Sequence, residues 1–153
     1  MKGEVEEGFY TIPFGIADIK RQGDDLTIVA IGKQVHTALK AAAILQERGV
    51  EAEVIDPRTL SPLDENTILS SVAKTGRLIV VDEANPRCSV AADISALVAD
   101  KGFDYLDAPI KRITAPHCPV PFSPALEDLY LPTPEKVLRA AAEIIGDETI
   151  VPV

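Results

Sequence analysis

The order of apolar segments along the chain constrains the fold more than any other feature. Short runs rich in branched apolar residues occupy residues 26–31, 52–56 and 77–82, and 110–114 is a weaker run of the same kind. Continuous short runs of this kind are typical of strands that are buried on both faces. Between them, apolar residues recur every three or four positions, which is typical of amphipathic helices. Strands that alternate with helices predict a mostly parallel sheet with helices on both faces.

Residues that start and stop helices lie where this pattern requires them. Gly49 suits the end of the first helix, and Asp64 suits the N-cap of the second. Thr133 followed by Pro134 predicts the start of the last helix. The intervening stretch 115–134 holds six of the twelve prolines, so we predict an ordered loop or surface strap there.

Length and charge limit the classes of function. A chain of 153 residues has the size of one ordinary domain. Its net charge of -9 would be repelled by phosphate backbones and would attract a basic protein partner, so we do not expect nucleic-acid binding. No apolar run approaches the roughly 20 residues of a membrane span, and the acidic start does not resemble a signal peptide. Two widely spaced cysteines do not form a secreted disulfide framework, so we expect a cytoplasmic protein.

The turn after the first predicted strand is the first place to look for a ligand, because open α/β sheets bind ligands at the carboxyl ends of their strands. Gly32 and Lys33 stand there, at the start of a helix that could hold an anion. However, the glycine spacing of dinucleotide-binding and P-loop motifs is absent from the sequence. A single glycine at a tight turn indicates backbone geometry more than phosphate binding.

Charged residues follow the next two strands. Arg58 could clamp a carboxylate or phosphate, but pairing with Asp56 or Asp64 is the interpretation we favour. Asp82 and Glu83 are adjacent, and adjacent side chains on a strand point to opposite faces, so they cannot easily serve one site.

The histidines and cysteines do not predict a metal or catalytic centre. His36 and His117 lack the spacing of a metal-binding pair. Cys88 precedes a predicted helix, which can lower a thiol pKa, but a structural thiol is the simpler interpretation. His117 lies among prolines near Phe122, which indicates a packed interface. We therefore expect no catalytic, cofactor-binding or metal-binding residue in this chain.

Five segments, in order, resemble the C-terminal, transketolase-like domain of β subunits of thiamine-dependent acetoin and 2-oxo-acid dehydrogenases. They are residues 4–13, 25–32, 56–64, 77–83 and 121–132. The resemblance implies a three-layer α/β/α domain with a mostly parallel five-stranded sheet. It also implies a division into a linker from a missing pyrimidine-binding domain (1–15), the transketolase-like domain (16–146) and an acidic tail (147–153).

One stretch separates branches of this family. Residues 115–124 are similar to the acetoin dehydrogenase branch. The pyruvate dehydrogenase branch usually has a glycine-containing turn at the position of residues 85–89 and an aspartate near His117. We therefore favour acetoin over pyruvate as the substrate of the complete enzyme, and the sequence leaves both open.

The family implies a tetramer of two α and two β chains, with thiamine diphosphate and Mg²⁺ bound outside this domain. It implies three partners: the α subunit, a second β subunit and the basic subunit-binding domain of the dihydrolipoyl acyltransferase. In isolation we expect an inactive homodimer. The residues expected to dock the acyltransferase are Glu143, Asp147, Glu148 and the carboxylate of Val153, and those expected at a subunit interface are His117, Phe122 and Arg58.

Two other functions are compatible with the sequence. The alternation of strands and helices with Gly32-Lys33 also fits a stand-alone flavodoxin-like module for a small ligand or electron transfer. A fragment of a transketolase or a deoxyxylulose-phosphate synthase is the third possibility, and the stretch 121–132 argues against it.

Overall fold

A computed structural model describes residues 7–150 of the chain. The sheet has five strands: β1 (Asp18–Arg21), β2 (Leu26–Ala30), β3 (Ala52–Asp56), β4 (Leu78–Val81) and β5 (Lys111–Ile113). The α-helices are α1 (Gln34–Glu47), α2 (Glu65–Thr75), α3 (Val90–Lys101), α4 (Pro124–Tyr130) and α5 (Pro134–Ile145). The strand order is β1-β3-β2-β4-β5. Strands β2 to β5 are parallel to one another, and β1 pairs with β3 in antiparallel orientation.

The expected three-layer α/β/α architecture is confirmed. Every residue of β2 and of β4 is buried, as a strand covered on both faces requires. Neighbouring residues of β2 face opposite layers: Ile28 packs with α1 and α5, whereas Val29 packs with α2 and α3. The core is thus divided by the sheet into two apolar clusters.

The helix ends follow the sequence signals. Asp64 caps α2, and its Oδ1 accepts a hydrogen bond of 3.1 Å from the backbone N–H of Thr67. Thr133 caps α5, which begins at Pro134 and ends at Gly146 in the left-handed conformation that glycine adopts freely.

Two elements were not predicted from the sequence. The edge strand β1 has the sequence Asp-Ile-Lys-Arg, and its pairing with β3 is interrupted between Ile19 and Arg21. Charged side chains on an edge strand discourage pairing with a further strand. The stretch predicted as a loop or strap contains the seven-residue helix α4, which begins at Pro124, where a proline costs no hydrogen bond.

Within residues 7–150, no helix combines the length and apolar character that crossing a membrane would require.

Candidate functional site

The carboxyl edge of the sheet is where ligands bind in open α/β folds. The parallel strands end there at Ala30, Asp56, Val81 and Ile113. The order in which strands are added to the sheet changes direction between β2 and β4. The connection through α1 leads from β2 to β3 on one side, and the connection through α3 leads from β4 to β5 on the other. A crevice between these two strand ends is the general position of a cofactor in such folds.

The proline-rich segment lies across this crevice. Lys33 and Glu83 line one side of it, and Val120, Glu127 and Tyr130 of the segment line the other. The segment is fixed in place by its own hydrogen bonds: the Tyr130 hydroxyl donates to the Cys118 carbonyl at 3.2 Å, and the Ala115 N–H donates to the Ala84 carbonyl at 3.1 Å. The proline-rich segment thus forms one wall of the crevice.

The charges in the crevice do not suit a phosphate or a metal ion. The ammonium of Lys33 stands with the carboxylates of Glu83 and Glu127, so two negative charges would oppose an anion. Among the residues that the structure describes, no group of three or more His, Cys, Asp or Glu side chains could hold a metal ion. Asp82 has a structural role, because its buried carboxylate accepts the N–H groups of Ala84 at 3.1 Å and Ala91 at 3.4 Å.

Arg58 pairs with an acid, but not with either acid named from the sequence. Its guanidinium contacts the carboxylate of Asp18 at 2.6 Å. Asp56 instead accepts the backbone N–H of Arg58, and Asp64 caps α2, so Arg58 pairs with an acid as expected, but neither Asp56 nor Asp64 is that acid. The hydrogen bond from Lys20 and the charge of Arg58 hold the pKa of Asp18 below its ordinary value.

Apolar side chains are exposed along the carboxyl edge. The name carboxyl-edge patch is used for the exposed apolar residues at this edge of the sheet: a groove lined by Ile12, Phe14, Ile31, Pro57 and Leu60, and, separately, Phe122 on the proline-rich segment that follows β5. The Phe122 side chain is fully exposed, and Phe14 is 83% exposed. Exposed large apolar residues that gather in one region mark interaction surfaces.

The three residues expected at a subunit interface all lie at this edge. Arg58 follows β3, and His117 and Phe122 follow β5. His117 is exposed and lines a small cleft with Asn85 and Cys118. The fold thus brings to one edge three residues that are far apart in the sequence.

The residues expected to dock a basic partner lie at the opposite, amino edge. The guanidinium of Arg77, just before β4, donates to the Ile144 carbonyl at 3.4 Å, which places the end of α5 beside the start of that strand. Glu143 forms an ion pair with Lys111, the first residue of β5.

The other acids of this cluster follow α5. Asp147 accepts both the N–H and the hydroxyl of Thr149, and these bonds lower the pKa of its carboxyl group. Glu148 is exposed, and Val153 lies outside the described residues. Asp147 and Glu148 are therefore accessible after the end of α5, which lies at the amino edge.

A second apolar groove at the amino edge was missed in the sequence. The amino-edge groove is lined by Ala99, Phe103, Leu106 and residues 107–110. Phe103 is 70% exposed and the nearby Tyr105 is 50% exposed. The available signal was the alternation of apolar residues and acids in Phe-Asp-Tyr-Leu-Asp at 103–107. A sequence alone does not tell whether such aromatics point into the core or out of it.

This α/β fold with its five-stranded sheet is that of a transketolase C-terminal domain. The family model for the transketolase C-terminal domain matches residues 15–137, so the chain belongs to that family. Among solved structures it is similar to an inactive β4 tetramer of a split-gene transketolase, with a TM-score of 0.78 and 24% identity over 94% of this chain and 46% of that one. A transketolase variant from Pichia stipitis has a TM-score of 0.60 at 19% identity, over 85% of this chain and 18% of its own. These two likenesses show the fold alone.

The chain is also similar to β subunits of acetoin oxidoreductases and of a pyruvate dehydrogenase. The chain is 69% identical over 150 residues to the acetoin:2,6-dichlorophenolindophenol oxidoreductase subunit beta of Bacillus subtilis, covering 98% of this chain and 44% of the relative. The corresponding subunit of Cupriavidus necator is 57% identical, over 92% of this chain and 42% of its own length. The pyruvate dehydrogenase E1 component subunit beta of Bacillus subtilis is 47% identical, over 93% and 43%. The chain thus spans less than half the length of each of these relatives.

Proposed function

We propose that this chain is the C-terminal domain of the β subunit of a thiamine-diphosphate-dependent dehydrogenase that acts on acetoin, and that it provides assembly and docking. Identity to the two acetoin-named relatives, 69% and 57%, exceeds the 47% identity to the pyruvate dehydrogenase subunit, which supports acetoin as the substrate. The observation that carries the assembly role is the exposed apolar patch at the carboxyl edge. We also propose a linker at 1–15, the domain at 16–146 and an acidic tail at 147–153, of which residues 1–6 and 151–153 lie outside the described residues.

The described residues do not fit the cofactor. A pyrophosphate group needs donors and positive charge, and the crevice at the carboxyl edge holds the carboxylates of Glu83 and Glu127 under a covering segment. A magnesium ion needs several oxygen ligands, and within residues 7–150 no three His, Cys, Asp or Glu side chains are placed together so that they could hold a metal ion. We therefore place thiamine diphosphate and Mg²⁺ on other parts of the α–β assembly, and assign this chain no catalytic residue.

The carboxyl-edge patch supports contact with another subunit. Complete burial of one phenylalanine side chain is worth about 1.5–3 kcal/mol. Phe122 and Phe14 together therefore represent several kcal/mol of stabilisation that is realised only when a partner covers them. In the full enzyme we assign this edge to the α subunit and the second β subunit, and in the isolated chain to a second copy of itself.

The amino edge supports docking of a basic partner. Glu143, Asp147 and Glu148 give it negative charge, and the amino-edge groove gives the same edge apolar area on the side covered by α3. This combination suits the basic subunit-binding domain of the acyltransferase, with the carboxylate of Val153 as a further expected contact. Because the two surfaces lie at opposite edges of the sheet, assembly and docking can occur together.

Paired substitutions of exposed phenylalanines test this division. Phe122→Ser changes the carboxyl edge, and Phe103→Ser is a matched change at the amino edge. We expect sedimentation velocity to show a homodimer for the unmodified chain and for Phe103→Ser, and monomers for Phe122→Ser at micromolar concentration. Calorimetric titration with the acyltransferase docking domain should show weaker binding for Phe103→Ser only.

Three results would contradict the proposal. The first is a monomeric unmodified chain, which would remove the homodimer. The second is an equal loss of self-association in both variants. The third is stoichiometric binding of thiamine diphosphate to this chain alone, which would mean that the domain carries a cofactor site of its own.

A further inference from the structure

The crevice at the carboxyl edge carries an excess of negative charge. Two acids, Glu83 and Glu127, line it together with a single cation, Lys33. Both acids are exposed, and within residues 7–150 none of these three side chains forms an ion pair. One further cation would therefore make the crevice neutral and would find unpaired carboxylates there.

A buried amide beside the crevice lacks a hydrogen-bond donor. Gln34 directly follows Lys33 at the start of α1 and is 1% exposed. Its Nε2 donates to the Glu83 carboxylate at 3.5 Å, whereas its Oε1 accepts no hydrogen bond from any residue that the structure describes. A buried carbonyl oxygen without a donor is destabilising. The crevice and this amide together suit a group that combines positive charge with several N–H donors.

A guanidinium group has both properties, since it is always charged and presents its N–H donors in a planar fork. The chain carries such a group at the same edge. Arg87 follows β4 and is exposed, and among the described residues only its backbone N–H forms a hydrogen bond, to Asn85. Arg87 comes shortly after Glu83 in the sequence, yet the two side chains do not pair within one copy.

The loop that carries Arg87 is held in place by hydrogen bonds. Asn85 Oδ1 accepts the N–H of Arg87 at 3.0 Å. The Pro86 carbonyl accepts a hydrogen bond of 2.9 Å from the guanidinium of Arg112 on β5. A side chain that projects from a fixed loop requires less ordering when it binds a partner.

We propose that Arg87 of one copy of this chain enters the crevice of a second copy, and that the second copy makes the same contact in return. Two copies that meet through the same surface make every contact twice, about a two-fold axis. Because Glu83 and Arg87 belong to one loop, the two contacts lie close together across that axis. The inference rests on the homodimer proposed above. Exposed apolar residues such as Phe122 supply buried area, and the charged contacts set the register of the two copies.

Charge reversal tests the contact. In Arg87→Glu the substituted side chain would meet an acidic crevice, and in Glu83→Arg the crevice would repel Arg87. For each variant alone we expect the dimer dissociation constant to rise at least about tenfold. An equal mixture of the two variants places opposite charges at both contacts, so the dissociation constant should return to within about threefold of the unmodified value. Sedimentation equilibrium at about 0.15 M salt measures all three.

Matched variants control for net charge and for folding. Arg139→Glu on α5 and Glu47→Arg on α1 change the net charge equally at exposed positions, and each should alter the dissociation constant less than about twofold. The milder Arg87→Gln and Glu83→Gln remove one charge each and should weaken the dimer about threefold to tenfold. Thermal unfolding shows whether each variant remains folded.

The outcomes separate this inference from the proposed function. If the unmodified chain is dimeric but the mixture associates no better than either reversed variant alone, the contact is refuted. Unchanged dimers of Arg87→Gln and Glu83→Gln also refute it, and the homodimer stands. If Glu83→Gln keeps the dimer but loses calorimetric binding of the basic acyltransferase domain, the crevice belongs to that partner and the contact is refuted. A monomeric unmodified chain refutes both the homodimer and the contact.

Discussion

Asp64 holds the segment that leads into β1, and its substitution should lower the free energy of unfolding by more than the loss of an ordinary helix cap does. Its carboxylate accepts the N–H of Thr67 at 3.1 Å and the hydroxyl of Thr67 at 2.7 Å, which caps α2. It also accepts the N–H of Ala17 at 2.9 Å, just before β1. One side chain thus holds the start of a helix and the segment that leads into the edge strand.

The cost of Asp64→Ala follows from these bonds. Loss of the cap costs about 1 kcal/mol, and leaving the half-buried N–H of Ala17 without its charged acceptor costs about 1–3 kcal/mol. We therefore expect a loss of about 3 kcal/mol in the free energy of unfolding. With a urea m-value of about 2 kcal/mol/M, the unfolding midpoint should fall by about 1–2 M.

Urea titration followed by circular dichroism measures this loss, and Ser89→Ala is the matched control. The Ser89 hydroxyl caps α3 by accepting one hydrogen bond from the Ala92 N–H at 3.3 Å, and within residues 7–150 it bonds to no distant segment, so its replacement should cost about 1 kcal/mol. If Asp64→Ala cost no more than Ser89→Ala, the bond to Ala17 would contribute nothing and the reasoning would be refuted.

Two further predictions concern acid and glycine. Burial alone would raise the pKa of Asp64, but the hydrogen bonds from Ala17 and Thr67 outweigh it and lower the pKa, and Lys20 with Arg58 lowers that of Asp18. A carboxyl group whose pKa is lowered in the folded state contributes stability at pH values above its ordinary pKa of 3.8, and this stability is lost as the pH falls through the folded pKa. The urea midpoint should therefore drop below about pH 4. A midpoint that rises on acidification would contradict this. Gly76 and Gly146 both have positive φ, but a Cβ on Gly76 would stand 2.2 Å from Asp107 Oδ2, whereas nothing lies within 4 Å at Gly146. Gly146→Ala should cost about 1 kcal/mol and Gly76→Ala more, as thermal unfolding can show; equal costs would mean that the contact is easily relieved.

The parallel core strands and their helices were predictable because their burial leaves a continuous signal. The runs at β2 and β4 are apolar at nearly every position, since both faces of each strand are covered. The caps at Asp64 and Thr133 were predictable for a similar reason, because a helix start needs a side-chain acceptor. In both cases, the residues of the segment itself were enough to predict the element.

The elements that were missed depend on distant contacts. The strand β1 consists mostly of charged residues and is held by backbone pairing to β3, which leaves no periodic apolar signal. The acid that pairs with Arg58 is 40 positions away in the sequence, on that same unpredicted strand. The amino-edge groove depends on the outward direction of Phe103, which only the packing of its neighbours determines.

The most direct test of the account is hydrogen–deuterium exchange of the chain with and without the acyltransferase docking domain. Docking at the amino edge predicts slower exchange of amides in residues 103–111 and 143–149 on addition of the domain, with no change in residues 117–131. Slower exchange in residues 117–131, with none at the amino edge, would show that the partner binds the carboxyl edge and would contradict the assignment of the two surfaces.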